Sequence, residues 1–395
     1  MDAQEQKRMM AYAAIANRAN FIDGILPDGQ TVARLGLICT VYFRNGGQPA
    51  TGQKVLACFD QFNAEFGQHL TGQLHSYSSR FSSLRKDSIA IARKKLEANT
   101  AEGMTIEWTL QSHKNGEIAP EYCISTLTAN AESDPYGVLS YLKIKLPWQM
   151  LQEEAGEQQF LDWVRYLCEE LDIEHGYAGL ACELPFDRHQ YQPYEFQIAQ
   201  RFSGLMVDSA PHLDKSELKD GIKGVNWLTL LGPSFIEQAD GETELCRQLA
   251  LPDVRVEKTA NGRLIIQAGL LPDVGGPERG HPPAYVAVNR VLKPIRVVNP
   301  DQLHTCMDDA EGFTKRNTLE WYARFDDLEA EPAVLAELTD AEQRCESERP
   351  CPRSGYWATP AKEDSRRAFE RGEIMPDFPG STYGATIWYW DENQD

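Results

Sequence analysis

No run of apolar residues in this sequence is long enough to cross a bilayer, which takes about 18 in a row. The first ten residues include Asp2 and Glu5 and lack the apolar centre of a signal peptide. We therefore expect a cytoplasmic protein that makes no contact with a membrane. The length of 395 residues, 42% of them hydrophobic, supports one large core or two smaller ones.

Closely spaced cysteines are also scarce. The nine cysteines include no Cys-x-x-Cys pair, and no cysteine and histidine stand at the spacing of a zinc site. Several lie inside apolar segments, which is typical of buried thiols in a reducing compartment. Cys345 and Cys351 are the only close pair, and we predict that they are not bridged. The sequence therefore indicates neither a disulfide scaffold nor a zinc site.

Motifs of the common enzyme classes are absent. The sequence contains no G-x-S-x-G, no G-x-G-x-x-G after a strand, no P-loop and no H-E-x-x-H. Residues 272–277 are glycine-rich, but their two prolines cannot donate the backbone N–H groups that hold a phosphate, so a plain turn is predicted. We therefore predict that the protein is not an enzyme and has no cofactor, catalytic residue or metal site.

Two local clusters leave other chemistry open. Asp187 and His189 are close enough in sequence to form an acid–base pair, and a hydrolase assembled around them is one alternative. Asp308, Asp309 and Glu311 resemble part of a metal site but lack the spacing of a calcium loop. Consecutive carboxylates in an acidic segment are more often a solvated surface, and we favour that interpretation.

The negative charge is concentrated in two segments. The formal net charge is −20. Residues 301–350 contain fourteen acids and five bases, and residues 151–174 contain eight acids and one base, so these segments carry −9 and −7. Such a distribution argues against a nucleic-acid-binding protein, which would concentrate lysine and arginine. It is compatible with a basic protein partner, because complementary charge speeds encounter and selects partners.

Hydrophobic periodicity predicts an α+β fold with a mixed, largely antiparallel sheet, or sheets, flanked by amphipathic helices. Strands are predicted at residues 33–44, 138–146 and 177–184, helices at 53–70, 81–98, 148–171 and 283–292, and hairpins around Asn115-Gly116 and Asn261-Gly262. Strand, helix, hairpin and helix follow one another in residues 21–172 and again in residues 173–300. A two-fold internal duplication and two wings of one sheet are alternative interpretations of that order.

The chain changes character after residue 300, where the first predicted domain (1–300) ends. Residues 301–350 are predicted to form an acidic helical connector, with a helix over 329–349. Residues 351–395 contain four prolines, which interrupt regular structure, and eight large aromatic side chains. So much aromatic area is not left in water, so we expect this C-terminal module to pack on the main body or on a partner.

Several blocks of the first domain resemble a known family. They are LGLICTVYFR at residues 35–44, CFDQF at 58–62, GVNWLTLLGP at 224–233, LIIQAG at 264–269 and PAYVAVNRVLKPIR at 283–296. Their order and spacing across residues 33–300 resemble the type VI secretion immunity family, and are far more specific than one short motif. A second resemblance covers the tail, where CPRSGYW at residues 351–357, SRRAFERGE at 365–373 and YGATIW at 383–388 are similar to a module attached to immunity proteins of interbacterial toxins.

The resemblance implies a function by binding. It implies an immunity protein that neutralises a cognate secreted toxin, a nuclease similar to restriction endonucleases, and thereby protects the producing cell. It implies no direct contact with nucleic acid, and we expect a monomer. The remaining alternative from another class is an adaptor or chaperone that loads a secreted effector.

A nuclease presents a cationic cleft to phosphates, and an acidic surface can dock there. The predicted toxin-binding residues are therefore the acids of the two negative segments: Glu153, Glu154, Glu157, Asp162, Glu169, Glu170, Asp308, Asp309, Glu311, Asp326, Asp327 and Glu329. Asn226, Trp227 and Gly232 belong to an apolar strand, so we expect them to pack inside the fold.

Overall fold

The computed structural model describes residues 3–78, 80–186, 189–300, 303, 312–326, 344–362, 365–378 and 386–391. The chain divides into two compact units, residues 1–326 and 327–395. The sequence predicts boundaries at residues 300 and 350. Residues 312–326 belong to the first unit because Phe313, Trp321 and Tyr322 are buried in one of its apolar clusters.

The helices of the first unit are α1 Ala3–Ile22, α2 Pro49–Phe66, α3 Ser88–Ala101, α4 Glu154–Glu170, α5 Gln192–Arg201, α6 Pro211–Asp214, α7 Pro233–Gln238, α8 Glu242–Gln248, α9 Pro283–Leu292 and α10 Lys315–Tyr322. Its strands are β1 Gly24–Ile25, β2 Thr31–Phe43, β3 Gly72–His75, β4 Ser82–Ser83, β5 Glu107–Gln111, β6 Cys123–Leu127, β7 Ser140–Pro147, β8 Ile173–Glu183, β9 Leu228–Leu231, β10 Val254–Lys258 and β11 Leu264–Ala268. The predicted α+β fold class is confirmed.

One eleven-stranded sheet organises this unit. Its strands lie in the order β10-β11-β9-β8-β2-β7-β6-β5-β3-β4, and β1 pairs with β2 outside that path. All pairings between these strands are antiparallel. The first half of the chain supplies the wing from β2 to β4, and the second half supplies the wing from β8 to β10. The outward strand order differs between the wings, so the internal duplication stays a hypothesis.

The two faces of the sheet differ in polarity. One face is apolar, and the other, called the polar face below, combines buried polar side chains with a second apolar cluster that includes Ile38 and Tyr42. Side chains of a strand alternate between faces, and on the central strand β2 the residues Leu37, Cys39 and Val41 are fully buried in the main hydrophobic cluster. Helices α1, α2, α4 and α9 cover this apolar face with their own apolar stripes. Phe59 of α2 stacks on Trp108 of β5 with ring centroids 4.4 Å apart. Trp227 is buried in the same cluster and Asn226 beside it is fully buried, as predicted.

Two predicted helices differ from the structure. Residues 81–98 contain strand β4 and then α3, which begins at Ser88 after a turn in which the Ser88 hydroxyl accepts the Arg85 backbone N–H. Residues 344–346, inside the helix predicted over 329–349, form a strand, because they pair with residues 387–389 of the C-terminal unit. Residues 327–343 of that predicted helix lie outside the described residues.

The second unit contains a four-stranded sheet. Its strands are β12 Arg344–Glu346, β13 Gly355–Ala358, β14 Arg367–Phe369 and β15 Ile387–Trp390, in the order β12-β15-β13-β14. Trp357, Phe369 and Trp388 are buried against one another, together with Cys345 and Cys351. The aromatic side chains of this module thus form a core of their own, and both cysteines are free as predicted.

Candidate functional site

Helix α4 carries the first predicted acidic cluster. Phe160, Val164 and Leu167 recur at helical spacing and are fully buried on the apolar face of the sheet. Glu154, Asp162 and Glu169 lie away from this apolar side and are exposed, whereas Glu157 lies beside it and is partly buried. Glu154 and Glu157 lie in the first turn, where the positive end of the helix dipole favours a carboxylate.

The six predicted acids of this segment differ in exposure. Glu153, Glu154, Asp162 and Glu169 are exposed, and Glu157 and Glu170 are half-buried. The Glu157 carboxylate is paired with the Arg8 guanidinium of α1 at 3.0 Å, and Asp162 is paired with Arg165 at 2.8 Å. Burial raises the pKa of Glu157, although the hydrogen bond from Arg8 acts to lower it. This segment thus carries six of the predicted residues, and two of them, Glu157 and Asp162, are paired with arginines.

Asp326 is the only residue of the second predicted cluster that the described part of the chain includes. Its carboxylate contacts the Arg296 guanidinium at 2.7 Å and the Lys293 ammonium at 3.5 Å, and accepts the Asn289 side-chain amide at 2.9 Å. These pairs lower the pKa of Asp326 even though burial acts to raise it. Asp326 therefore links α10 to the end of α9 internally. Asp308, Asp309, Glu311, Asp327 and Glu329 lie outside the described residues.

An open groove of about 490 Å³ lies between α2 and α4. Its lining residues are Gln61, Glu65, Ala155, Gln158, Gln159, Asp162, Trp163 and Tyr166. The Glu65 carboxylate accepts the Trp163 indole N–H at 2.8 Å and also accepts the Gln159 amide. The lining of this groove, called the α2–α4 groove below, contains two acids and no base.

The polar face of the sheet carries a cross-strand row of polar side chains. Strand register places Thr109, Ser125, Lys143, Thr40, Tyr177 and Thr229 side by side, from β5 to β9. Polar side chains in the middle of a large sheet must find hydrogen-bonding partners when they are buried. Much of this row does so through one buried network.

Asp208 is the centre of that network. Its carboxylate accepts the Thr40 hydroxyl at 2.7 Å and the Tyr177 hydroxyl at 2.5 Å, and pairs with the Lys143 ammonium at 2.9 Å. Lys143 also pairs with Glu183 at 2.9 Å, and Lys145 contacts the other oxygen of Glu183. Burial acts to raise the pKa of Asp208, but Lys143 and Lys223 lower it overall. The pKa of Lys143 is raised by Asp208 and Glu183, so Lys143 and Asp208 both favour their charged forms. The side chains of Lys143, Glu183 and Asp208 are almost wholly buried.

Glu195 of α5 holds the segment that contains Asp208. Its carboxyl group accepts the Ser209 hydroxyl at 2.6 Å and the Asp208 backbone N–H at 3.3 Å. Burial raises the pKa of Glu195 from 4.5 to about 7, although Ser209 and Lys223 act to lower it. The protein thus has a buried carboxyl group that titrates near neutral pH.

Glu195→Gln is expected to flatten the pH dependence of stability. The folded state of the native protein keeps a proton on Glu195 that the unfolded chain has lost above pH 4.5, so its free energy of unfolding falls as pH rises from 4.5 to 7. The change is on the order of 3 kcal/mol at most. Urea unfolding between pH 5 and 8 tests this, and parallel curves for the two proteins would contradict it.

A second groove, of about 150 Å³, lies over β5, β6 and β7 on the polar face. Lys143 and Lys145 line it together with Ser125, Ser209 and His212. Among the described residues, no group of three or more histidine, cysteine or acidic side chains could hold a metal ion. Asp187 and the side chain of His189, the pair of the hydrolase alternative, lie outside the described residues.

The sequence reasoning missed the buried network completely. Lys143 and Lys145 alternate with apolar residues inside the predicted strand 138–146, and a lysine at a buried strand position requires a carboxylate partner. The sequence therefore indicates that Lys143 needs a carboxylate partner. It does not indicate which one, because Glu183 and Asp208 are far away in the sequence and only the fold brings them close.

The architecture is that of an α+β protein with one large antiparallel sheet, an acidic helix over its apolar face and a charged network on its polar face. A family model described as type VI immunity for VRR-NUC, named TsiV, matches residues 54–325. The match covers more than half of the chain, so this protein belongs to that family of type VI immunity proteins. The resemblance seen in the sequence is confirmed.

The fold is also found among solved structures. The chain is similar to a structure titled Pseudomonas aeruginosa T6SS protein PA0821, with a TM-score of 0.68 and 24% sequence identity. The similarity covers 84% of this chain and 95% of that one. At this identity the similarity shows a shared fold. No curated protein matches the sequence significantly. None of the described helices is long and apolar enough to span a membrane.

Proposed function

We propose that this protein neutralises a cognate nuclease toxin in the cytoplasm by binding it, without catalysis of its own. Membership of the family described as type VI immunity for VRR-NUC supports the class of partner. The observation that carries the mechanism is the acidic surface of α4. Glu153, Glu154 and Glu169 are exposed there and have no basic partner within ion-pair distance among the described residues.

A surface of this kind suits a nuclease. A protein that binds the phosphate backbone must present a positive surface, and an acidic helix that covers it competes with DNA or RNA for the same charges. Charge also steers the two proteins together, while well-packed contacts determine how long they stay together. The proposed toxin-binding residues are those of α4, together with the acids of residues 301–331.

Co-expression with a nuclease toxin of the VRR-NUC class tests the proposal. The chain is expected to restore growth, to co-purify with the toxin and to suppress its cleavage of DNA or RNA in proportion to the amount added, up to a one-to-one ratio. Stoichiometric suppression distinguishes inhibition by binding from destruction of the toxin by turnover. Co-purification with undiminished cleavage would instead indicate an adaptor, and the immunity proposal would then be wrong.

A further inference from the structure

The α2–α4 groove has properties that a general acidic surface lacks. It lies between two helices, and its volume of about 490 Å³ falls in the range of roughly 300–1,000 Å³ that is usual for binding pockets. Its walls carry carboxylates, amides and aromatic rings. A ligand that fits this groove must therefore interact with all three kinds of group.

Glu65 is a carboxylate held in place by neutral donors. Both of its oxygens accept hydrogen bonds, one from the Trp163 indole and one from the Gln159 amide. No basic side chain of the described residues forms an ion pair with Glu65, so its negative charge is oriented but not neutralised internally. A fixed carboxylate loses little side-chain entropy when a cation binds to it.

Asp162 supplies a second carboxylate to the groove. Its side chain is 63% exposed, and one of its oxygens accepts the Gln158 amide at 2.7 Å and the Arg165 guanidinium at 2.8 Å. Arg165 is shared, because it also makes two hydrogen bonds to Glu257 at 2.6 and 2.9 Å. Arg165 is thus shared between Asp162 and Glu257, so Asp162 does not have a base to itself.

Aromatic rings complete the lining. The rings of Trp163 and Tyr166 meet edge to face, with centroids 5.5 Å apart and planes at 85°. Trp163 is buried, whereas Tyr166 is half-buried and keeps part of its ring accessible. The face of an aromatic ring attracts a cation, and a flat guanidinium stacks on it better than a compact ammonium.

We infer that the α2–α4 groove receives an arginine side chain of the partner, with its guanidinium against Glu65, Asp162 and Tyr166. A guanidinium combines charge, planarity and several N–H donors, and so matches carboxylates, an aromatic face and amide oxygens together. The inference rests on the proposed function, because a basic toxin surface would supply the arginine. It identifies one anchoring point within the acidic surface.

Peptide binding to the full-length protein tests the chemistry directly. The probes are fluorescein-labelled hexa-arginine, hexalysine and hexacitrulline, the last of which has a similar shape without the charge. Hexa-arginine is expected to bind at least about threefold more tightly than hexalysine, and hexacitrulline is expected not to bind. Equal affinities for arginine and lysine peptides would overturn the inference, as would binding of the citrulline peptide.

Two double variants separate the groove from the general charge. Glu65→Gln with Asp162→Asn removes two charges from the groove and is expected to weaken hexa-arginine binding by about tenfold or more. The matched control, Glu102→Gln with Glu237→Gln, removes two exposed charges outside both α4 and the groove, and a change of less than about twofold is expected. Equal weakening by both pairs would mean diffuse attraction and no defined site.

Tyr166 provides a test that does not alter charge. Tyr166→Phe keeps the ring and is expected to keep the preference for arginine over lysine, whereas Tyr166→Leu is expected to lose it. Thermal unfolding of each variant confirms that it is folded. If Tyr166→Leu is folded and keeps the preference, the stacking part of the inference is wrong.

The toxin itself distinguishes this inference from the proposed function. If the native protein inhibits the nuclease and the Glu65→Gln, Asp162→Asn variant binds it with unchanged affinity, the anchoring role fails and immunity stands. If the peptide pattern is as expected but no nuclease is bound, the groove recognises arginine and the immunity proposal fails.

Discussion

Lys143→Met is expected to lower the free energy of unfolding by about 3–5 kcal/mol near neutral pH, the cost typical of removing one partner from a buried ion pair. The side chains of Lys143, Glu183 and Asp208 are between 0% and 3% exposed, so water cannot replace the lost ammonium. Lys145 still contacts Glu183 in the variant, which leaves Asp208 with only its hydroxyl donors. Equilibrium unfolding in urea measures the loss.

A matched substitution in an exposed pair shows whether burial is the cause. Lys54 pairs with Asp172 at 3.3 Å, and both side chains are substantially exposed. Lys54→Met is therefore expected to change stability by less than about 1 kcal/mol. Adding Asp208→Asn to Lys143→Met is expected to recover part of the loss, because it removes the unpaired charge. A loss below about 1 kcal/mol for Lys143→Met alone would mean that the network is not an important source of stability.

The loss of stability caused by Lys143→Met is expected to depend on pH. In the native protein the pKa of Asp208 is lowered, so its contribution to stability is present above the usual pKa of an aspartate and disappears as pH falls. Without Lys143, burial acts on Asp208 unopposed by that cation and favours the protonated form. The difference in stability between the two proteins is therefore expected to shrink as pH falls toward 4.

Local sequence patterns predicted the elements whose signal lies within the element itself. Strand β2 is rich in β-branched and aromatic residues, and the stripe of Phe160, Val164 and Leu167 defines α4. The hairpin β10–β11 follows from Asn261-Gly262, where Gly262 adopts a positive φ of 83°. These patterns need no knowledge of the rest of the chain.

The predictions that were wrong concern segments whose structure depends on residues far away in the sequence. Residues 344–346 form a strand only because residues 387–389 pair with them, and about 40 residues separate the two segments. Pro352, Pro360 and Pro376 correctly indicated breaks in regular structure, but short strands can lie between breaks. Likewise Lys143 meets Asp208 because the register places Lys143 beside Thr40, and Thr40 beside Tyr177. A local sequence pattern does not determine the register in which one strand pairs with another.

The α4 acids could be predicted as a surface, because one helix carries them, whereas the α2–α4 groove could not. Glu65 belongs to a helix that the sequence correctly marked as amphipathic, with Phe59, Phe62 and Phe66 on its buried side. Nothing local indicates that Glu65 meets Trp163, 98 residues further along. The density of acids in the sequence thus indicated the acidic surface around α4. The groove within that surface arises from the packing of α2 against α4.

Reversal of the exposed charges on α4 is expected to slow capture of the toxin more than any other surface change. The variant Glu153→Lys, Glu154→Lys, Glu169→Lys alters three exposed residues outside the lining of the α2–α4 groove. Opposite charges accelerate encounter by long-range attraction that salt screens. We therefore expect the association rate constant with a catalytically inactive toxin to fall by about 10–100-fold at low salt, with a weaker salt dependence.

The dissociation rate of this variant shows whether the three acids only attract the toxin over a distance or also hold it in the complex. These three side chains are at the exposed surface, where charges affect association more than dissociation, so the dissociation rate is expected to change by less than about threefold. The control variant Glu102→Lys, Glu132→Lys, Glu237→Lys makes the same change in net charge at exposed positions outside α4. Stopped-flow association at several salt concentrations compares the two. If both variants slow association equally, net charge alone attracts the toxin; if only the α4 variant does, the helix is the face that the toxin approaches.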